Sequence, residues 1–222
     1  MSRNESEITL RAGPAELAGF LAVPANARGA VLFAHGSGSR RHSKRNHYVA
    51  EFLQQNGMAT LLIDLLTPAE EARDNFTAEL RFDIDFLADR LLGASGWLAQ
   101  HPSTARLPLG YFGASTGGGA ALVAAAQRHD VTAIVSRGGR PDLADRFLPE
   151  VKAPTLLIVG GEDLPVIALN RRAYERLRCE KRMEIVPGAT HLFEEPGKLQ
   201  EVAKLASHWF AVHMQRPSER IA

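Results

Sequence analysis

Short apolar runs alternate along the chain with longer segments in which apolar residues recur about every three or four positions. The short runs, bounded by glycine, proline and polar residues, are typical of buried strands, and the longer segments are typical of helices packed on a core. The predicted strands span residues 30–34, 60–64, 107–112, 132–136, 155–159 and 183–186. The predicted helices span residues 46–56, 76–100, 118–126, 167–178 and 198–214.

The first part of the chain has a different pattern. Residues 7–11 and 16–22 flank Gly13 and Pro14, which predicts an antiparallel hairpin at the edge of a sheet. Beyond the hairpin, strands alternate with helices, which predicts an α/β fold with a mostly parallel central sheet and helices on both faces. The segment between Arg137 and Pro154 is too short for a cap domain. We therefore expect a single domain over residues 1–222 with an open site.

The composition narrows the class of protein. The chain has 222 residues, of which 45% are hydrophobic, enough for one globular domain with a core. A formal net charge of +1 gives no indication of nucleic-acid or anionic-membrane binding. No apolar stretch approaches the roughly 20 residues of a membrane-spanning helix, and the N-terminus lacks the pattern of a signal peptide. The single cysteine, Cys179, excludes an internal disulfide, so we expect a cytoplasmic protein.

One serine stands where a strand is predicted to turn sharply into a helix. Gly113, Ser115 and Gly117 form a G-x-S-x-G motif after an apolar strand, and a run of glycine and alanine follows. This context is that of a nucleophile elbow, in which a strained turn exposes a serine hydroxyl. The flanking glycines have no Cβ to clash where strand and helix approach. Ser115 is the predicted nucleophile, and the alternative is that it only caps the helix.

A serine nucleophile needs a base and an acid, and both follow in the expected order. Asp163 comes just after one predicted strand, and His191 lies in the loop after the last predicted strand. The carboxyl ends of parallel strands are where open sheets place their sites. Asp163 is preferred to Glu162 as the acid because it leads directly into the next helix. Together these residues predict a catalytic triad of Ser115, Asp163 and His191.

An oxyanion hole for such a triad requires two backbone N–H groups. Thr116, the residue after the nucleophile, is predicted to supply one of them. The glycine-rich loop after the strand at 30–34 is predicted to supply the other, from Ser37 or alternatively from Gly38. This loop is not a dinucleotide fingerprint, because Arg41 stands where the third glycine would be.

Two arginines are candidate substrate contacts. Arg137 follows a predicted strand and should emerge near Ser115, where its guanidinium would hold a substrate carboxylate by paired hydrogen bonds. The alternative is that Arg137 pairs with Asp142 or Asp163 and only shapes the loop. Arg40 begins a basic run beside the oxyanion loop, which is either a solvated surface or a feature that steers the substrate.

We predict no metal site and no cofactor. His35, His42 and His47 do not have metal-ligand spacing with partnering carboxylates. His35 is instead expected to hold its own loop by a hydrogen bond.

Taken together, these motifs resemble the α/β-hydrolase superfamily, and in particular the small, cap-less dienelactone hydrolase-like group. They comprise the loop at His35 and Gly36, the elbow at Ser115, the segment 160–166 and the loop 188–191. The resemblance covers nearly the whole chain and implies an α/β-hydrolase fold with acyl-transfer chemistry. The dienelactone hydrolases proper use a cysteine as the nucleophile. The serine of this chain therefore favours a serine esterase or a related acyl hydrolase.

The expected function is hydrolysis of a small-molecule ester or lactone through an acyl-enzyme intermediate, by a monomer or a homodimer. Thioester or amide hydrolysis and acyl transfer remain alternatives, because the same machinery serves all of them. A non-catalytic binding protein on the same scaffold is a further alternative, although such proteins usually lose part of the triad. A nucleotide-handling protein is disfavoured, because the chain has no G-x-x-x-x-G-K-[ST] phosphate loop.

Overall fold

A computed structural model describes residues 5–214, which build one eight-stranded sheet with helices against both faces. The strands are β1 (Glu5–Ala12), β2 (Ala15–Ala22), β3 (Gly29–Ala34), β4 (Met58–Ile63), β5 (Leu109–Ala114), β6 (Val131–Arg137), β7 (Thr155–Gly160) and β8 (Lys181–Val186). The helices are α1 (Lys44–Gln55), α2 (Pro68–Thr77), α3 (Ile84–Gln100), α4 (Thr116–Gln127), α5 (Leu164–Arg176) and α6 (Lys198–His213). Short 3₁₀ segments cover Leu80–Phe82 and Pro141–Glu150.

The order of strands across the sheet is β1-β2-β4-β3-β5-β6-β7-β8. The hairpin of β1 and β2 lies at one edge and is itself antiparallel, and β2 pairs antiparallel with β4. The other neighbouring pairs are parallel. The hairpin turns at Gly13, whose φ of 61° suits a residue without a Cβ. The predicted mostly parallel sheet with an antiparallel edge is confirmed. Its parallel strands place their carboxyl ends, and the loops that follow them, at one side of the molecule.

The core lies in two layers, one on each face of the sheet. Helices α3, α4 and α5 cover one face, where a large cluster includes Leu87, Leu91 and Tyr111. Helices α1 and α6 cover the other face, where the cluster includes Leu53 and Phe210. Strand residues contribute alternately to the two clusters because successive side chains point to opposite faces. Helices on both faces are the predicted arrangement, and no cap domain interrupts them in residues 5–214.

The predicted helix over residues 76–100 is wrong in its first part. Residues 76 and 77 end the separate helix α2, which was not predicted, and α3 begins only at Ile84 after a 3₁₀ turn. Local capping favours these separate starts. Thr67 begins α2 with a capping box to Glu70, and Asp83 begins α3 by accepting a hydrogen bond from the Phe86 N–H. Ala78 adopts a left-handed conformation between them (φ 55°) and ends α2. Apolar periodicity alone did not reveal these caps.

The helices were also compared with what a membrane span requires in length and apolarity. Within residues 5–214, none of them combines the length and the apolarity that crossing a bilayer requires. The N-terminal residues whose pattern differs from that of a signal peptide lie largely outside the described residues.

Candidate active site

Ser115 occupies a sharp turn between β5 and α4. Its backbone has φ 51° and ψ −122°, a sparsely populated conformation for a residue with a side chain. A Cβ on Gly113 would lie 2.5 Å from the Gly117 carbonyl oxygen, and a Cβ on Gly117 would lie 2.2 Å from the Ala34 oxygen. Only glycine fits at these two positions, so the predicted strand–turn–helix geometry and the reason for its glycines are confirmed.

Asp163 and His191 meet at the same side of the sheet, on the loops that follow β7 and β8. The Nδ1 atom of His191 lies 2.6 Å from Oδ2 of Asp163, a short charge-assisted hydrogen bond. The Asp163 side chain is 12% exposed and that of His191 is 37% exposed, so the carboxylate is covered while the imidazole borders open space. Glu162 contributes its backbone N–H to the Ala189 carbonyl, and it is Asp163 whose side chain contacts the histidine.

The loop that presents His191 is braced by the carboxylate of Glu195. The Glu195 side chain accepts hydrogen bonds from the Thr190 N–H at 3.1 Å and the Thr190 hydroxyl at 2.5 Å. The bond from the Thr190 hydroxyl lowers the pKa of Glu195 below its usual value. Gly138 packs against the other side, where a Cβ would lie 3.1 Å from the His191 carbonyl oxygen. These contacts fix the position of the imidazole.

The loop after β3 packs directly against Ser115. A Cβ on Gly36 would lie 2.8 Å from the Ser115 Cβ, so the loop backbone reaches the serine only because residue 36 is glycine. The Ser37 N–H donates to the Thr116 hydroxyl at 2.9 Å. The N–H groups of Thr116 and Gly38 have no acceptor among residues 5–214. A positively polarised pocket of backbone amides therefore borders the serine.

His35 holds this loop in place, as the sequence predicted. Its Nδ1–H donates to the Gly36 carbonyl at 2.9 Å, and its Nε2 accepts from the Leu65 N–H at 3.0 Å. The two bonds together fix the tautomer. The carbonyl requires a proton on Nδ1, and the N–H group requires an unprotonated Nε2. Burial in the protein lowers the pKa of His35. The histidine is therefore neutral and ties the β3 loop to the segment after β4.

We predict that His35→Phe lowers the free energy of unfolding by about 1–3 kcal/mol. The substitution leaves the Leu65 N–H without its acceptor in a buried place, whereas the Gly36 carbonyl loses the His35 donor but still accepts from the Ser39 N–H. Urea unfolding of the wild type and the variant measures the difference, and His129→Phe at an exposed position is the control. Equal losses in both variants would contradict the anchoring role.

The lowered pKa of His35 also predicts how stability depends on pH. Because the folded pKa lies below the unfolded value, the unfolded chain takes up the proton first as pH falls below about 6.5. The stability contribution is complete above the unfolded pKa and is lost as pH falls toward the folded pKa. We expect the decrease in unfolding free energy between about pH 7.5 and pH 5.5 to be smaller in His35→Phe than in the wild type. Identical decreases would contradict this assignment.

Ser115 and His191 line one cavity of about 250 Å³. Its other lining residues come from the β3 loop, the start of α1 and the end of β6 and include Ser37, Arg45, Asn46 and Arg137. A second, smaller cavity of about 40 Å³ lies beyond the β3 loop and is lined by Ser37, Thr116, Arg40, Leu65 and Leu87, among others. The sequence-predicted residues thus divide between two neighbouring cavities that share the β3 loop.

Arg137 lies at the wall of the larger cavity and is 6% exposed. One of its terminal nitrogens donates to the Asn46 side-chain oxygen at 3.2 Å, and the guanidinium lies 6.0 Å from the Phe193 ring centroid. Neither Asp142 nor Asp163 pairs with it, since Asp142 is bound by Arg140 and Asp163 by His191. Burial lowers the pKa of Arg137 to about 10, and the positive charge of Arg45 acts in the same direction. The guanidinium has no carboxylate partner within residues 5–214.

The basic run beside the β3 loop is not a uniform solvated surface. Arg40 pairs with Glu71 at the smaller cavity. The Arg41 side chain is only 18% exposed and binds Asp64. Arg45 pairs with Glu194 at 2.7 Å and faces the larger cavity. The interpretation of the run as a solvated surface is therefore wrong for Arg41, because its side chain is largely buried and paired. The sequence pattern did not reveal this pair, since the carboxylate partner lies far away in sequence.

The model for the dienelactone hydrolase family matches residues 17–214. The chain belongs to the dienelactone hydrolase family. A dienelactone hydrolase from Anabaena variabilis, solved by crystallography, is 62% identical and superposes with a TM-score of 0.93 over 95% of this chain and 98% of that one. The expected family and its α/β-hydrolase fold are therefore confirmed, and membership supports a hydrolase.

One curated relative and one further solved structure are also similar to this chain. A protein of Mycobacterium tuberculosis (strain H37Rv) that is named "Putative phosphoribosyl transferase" is 59% identical over 215 residues, which cover 96% of this chain and 47% of that protein. The chain thus spans about half the length of the curated relatives it matches. XC6422 from Xanthomonas campestris, described as an α/β serine hydrolase without a lid, is 20% identical with a TM-score of 0.76 over 96% of this chain and 97% of that one. At this identity it shows the fold alone.

Metal-ligating side chains do not cluster in the part of the chain that the structure describes. No group of three or more His, Cys, Asp or Glu side chains there is arranged to hold a metal ion. The lone cysteine, Cys179, is half-buried, and burial raises the pKa of its thiol.

Proposed function

We propose that this protein is a serine hydrolase that cleaves small esters through the triad Ser115, Asp163 and His191. The observation that supports this most is the 2.6 Å bond between His191 and Asp163 beside a serine held in a strained turn. Ser115 and His191 line the same cavity, so a substrate carbonyl placed there meets both. Membership in the dienelactone hydrolase family is consistent with acyl chemistry.

In the first half-reaction, Nε2 of His191 takes the proton of the Ser115 hydroxyl as Oγ attacks the ester carbonyl. Asp163 accepts the hydrogen bond from the other ring nitrogen, which fixes the tautomer and stabilises the imidazolium that forms. The imidazolium then gives its proton to the leaving alkoxide. The carbon–oxygen bond of the ester breaks, the alcohol departs, and the acyl group stays on Ser115.

The second half-reaction releases the acyl group. His191 takes a proton from water, the resulting hydroxide attacks the acyl carbonyl, and the proton returns to Ser115 Oγ as the acid leaves. The tetrahedral oxyanion of both steps is stabilised by the N–H groups of Thr116 and Ser37, with Gly38 as the alternative to Ser37. The Ser37 N–H would have to exchange or share its bond to the Thr116 hydroxyl, whereas the Gly38 N–H is already free.

The size of the cavity indicates the kind of substrate. A cavity of about 250 Å³ suits a small-molecule ester or lactone. Thioester and amide hydrolysis and acyl transfer use the same groups and remain alternatives to ester cleavage. We propose action on small metabolites in the cytoplasm, without a cofactor or a nucleic-acid partner.

The name of the Mycobacterium tuberculosis relatives does not change this proposal. The matched region is less than half of those proteins, so their name does not decide the activity of this chain. A phosphoribosyl transfer also needs no strained serine with a histidine–aspartate pair beside it. The site geometry is therefore the stronger guide to the chemistry.

The proposal is tested with p-nitrophenyl esters of increasing chain length and with the matching thioesters. In a stopped-flow experiment, the wild type is expected to release a burst of about one p-nitrophenol per site before the steady state, because acylation precedes slower deacylation. His191→Ala should lose the burst, and His129→Ala, at an exposed histidine, should keep it. Absence of turnover with every ester and thioester by a folded wild type would favour a non-catalytic binding protein.

A further inference from the structure

We propose that Asn170 is a positioning residue that aligns the catalytic triad. Its side chain ties helix α5, which begins directly after Asp163, to the loop after β6, which supports Ser115 and His191. This role rests on the proposed ester hydrolysis and adds a residue whose hydrogen bonds go to backbone carbonyls rather than to reacting atoms. Asn170 is 0% exposed, so its contribution comes from these buried bonds.

The Asn170 amide joins two elements of the fold. Its Nδ2 group donates to the Gly139 carbonyl at 3.0 Å, in the loop after β6, and to the Val166 carbonyl at 2.8 Å, one turn earlier in α5. The oxygen end of the amide cannot take the place of the nitrogen, because it would face two carbonyl oxygens. One bond stays within the helix and the other crosses to the loop, so the second bond fixes α5 relative to the site.

Gly139 is the middle residue of a loop whose three members are held by three different elements. The Gly138 N–H donates to a β7 carbonyl at 2.7 Å, and the Arg140 N–H donates to the Ser115 carbonyl at 3.0 Å. A Cβ on Gly138 would lie 3.5 Å from Cε1 of His191, so the loop backbone packs directly against the imidazole. The loop therefore sets how the nucleophile and the base lie relative to each other.

The centre of this loop depends on a partner from outside. Gly138 and Gly139 are consecutive and buried, and glycine loses more backbone freedom on ordering than any other residue. A larger residue does not fit at position 139, because a Cβ there would lie 1.9 Å from the Ser136 hydroxyl oxygen. The buried Gly139 carbonyl requires a donor, and the Asn170 amide supplies it. The bond therefore orders the backbone that contacts the imidazole.

The position of the Asp163 carboxylate depends on where α5 lies. Asp163 is the N-cap residue of α5, yet its side chain makes no capping bond to the helix and binds His191 instead. Asn170 follows it by about two helical turns and so lies on the same face of the helix. Apolar side chains of α5 also pack against β7, but apolar contact has no preferred direction. The Asn170 bond adds the direction that this packing lacks.

Asn170→Ser tests this role with a small disturbance. A serine in a helix can bond to the carbonyl four residues earlier, so the bond to Val166 is kept, but the short side chain does not reach the Gly139 carbonyl. With p-nitrophenyl butyrate, kcat is expected to fall about 10- to 100-fold while KM stays within about two-fold, because misalignment of the triad slows the chemical step without removing a substrate contact.

Ser95→Ala is the matched control, because it removes a buried polar group with a similar pair of bonds in another helix. The Ser95 hydroxyl donates to the Leu91 carbonyl within α3 at 2.7 Å and forms a 2.7 Å hydrogen bond with the Tyr111 hydroxyl on β5. It does not line the cavity of Ser115. Both variants are expected to unfold at a lower urea concentration than the wild type, but only Asn170→Ser should lose kcat. Equal kcat values in the two variants would overturn the positioning role.

A spectroscopic measurement follows the triad without turnover. The Nδ1–H proton of His191 lies in the 2.6 Å bond to Asp163, and the proton of so short a bond resonates far downfield in proton NMR. Loss of the signal in His191→Ala assigns it. We expect the signal to move upfield or broaden in Asn170→Ser and to stay in place in Ser95→Ala. An unchanged signal in Asn170→Ser would overturn the positioning role.

The NMR measurement also keeps this role separate from the proposed function. If the wild type hydrolyses no ester, the proposed function fails. The downfield signal still reports whether Asn170 holds His191 against Asp163.

Trimethylamine N-oxide separates positioning from stability if Asn170→Ser is unstable. The osmolyte favours the folded state, so it restores activity to a variant whose only defect is partial unfolding. We expect it to restore the circular dichroism spectrum of Asn170→Ser but not its kcat. Recovery of both, or a chain that stays unfolded, would show that Asn170 acts through stability and would overturn its positioning role.

Discussion

Ser115→Ala is expected to lower kcat on every ester by at least about 10⁴-fold, because the covalent step is lost while the backbone amides remain. The residual rate should no longer show a burst. The matched control is Ser103→Ala at an exposed turn that does not line the cavity, which should leave kcat unchanged. Steady-state kinetics with p-nitrophenyl butyrate and circular dichroism of both variants make the comparison. A Ser115→Ala protein with wild-type turnover would show that another residue is the nucleophile.

The strained turn at Ser115 gives the same position a second expected effect, on stability. A residue with a side chain at φ 51° and ψ −122° is strained by about 1–3 kcal/mol, and glycine relieves most of this strain. Ser115→Gly is therefore expected to unfold at a higher urea concentration than Ser115→Ala, by about 1 kcal/mol in free energy, although both are inactive. Equal stabilities would mean that the turn is not strained by its side chain.

Asp163→Asn is expected to lower kcat by about 10³- to 10⁴-fold with little change in KM. An amide can donate to Nδ1 of His191, which favours the tautomer whose Nε2 carries the proton and cannot accept one from Ser115. The amide also lacks the negative charge that stabilises the imidazolium. Kinetics with the same ester measure the loss.

Glu162→Gln is the matched control for this substitution, because it removes the neighbouring carboxylate. The backbone N–H of Glu162 donates to the Ala189 carbonyl, and the carboxylate that bonds to the histidine is that of Asp163. We expect its kcat to stay within about two-fold of the wild type, as for a surface substitution. If Glu162→Gln lost activity and Asp163→Asn kept it, the acid would be assigned wrongly.

The sequence predicted the fold and the positions of Ser115, Asp163 and His191 because these depend on local patterns. Apolar runs identify strands, and a glycine-flanked serine between strand and helix identifies the turn whatever surrounds it. The parallel topology then brings the loops after different strands to one side of the sheet. The break between α2 and α3 was missed because the apolar periodicity predicts one continuous helix there. The caps at Thr67 and Asp83 instead start two separate helices.

Side-chain partners distant in sequence could not be predicted. Arg41 binds Asp64, and Arg45 binds Glu194, 149 residues away, so a run of charges that looks solvated is partly buried. The brace of Glu195 on Thr190 and the packing of Arg137 against Phe193 likewise depend on how loops meet. Such contacts follow from tertiary geometry and have no signature of their own in composition or periodicity.

Covalent labelling with a fluorophosphonate probe tests the central claim most directly. After digestion, mass spectrometry of the peptide that contains Ser115 locates the adduct, and the wild type is compared with His191→Ala and Ser103→Ala. The account predicts one adduct per chain on Ser115, strongly slowed in His191→Ala and unchanged in Ser103→Ala, because the histidine activates the hydroxyl. Labelling of a different residue, or labelling of Ser115 that is independent of His191, would contradict it.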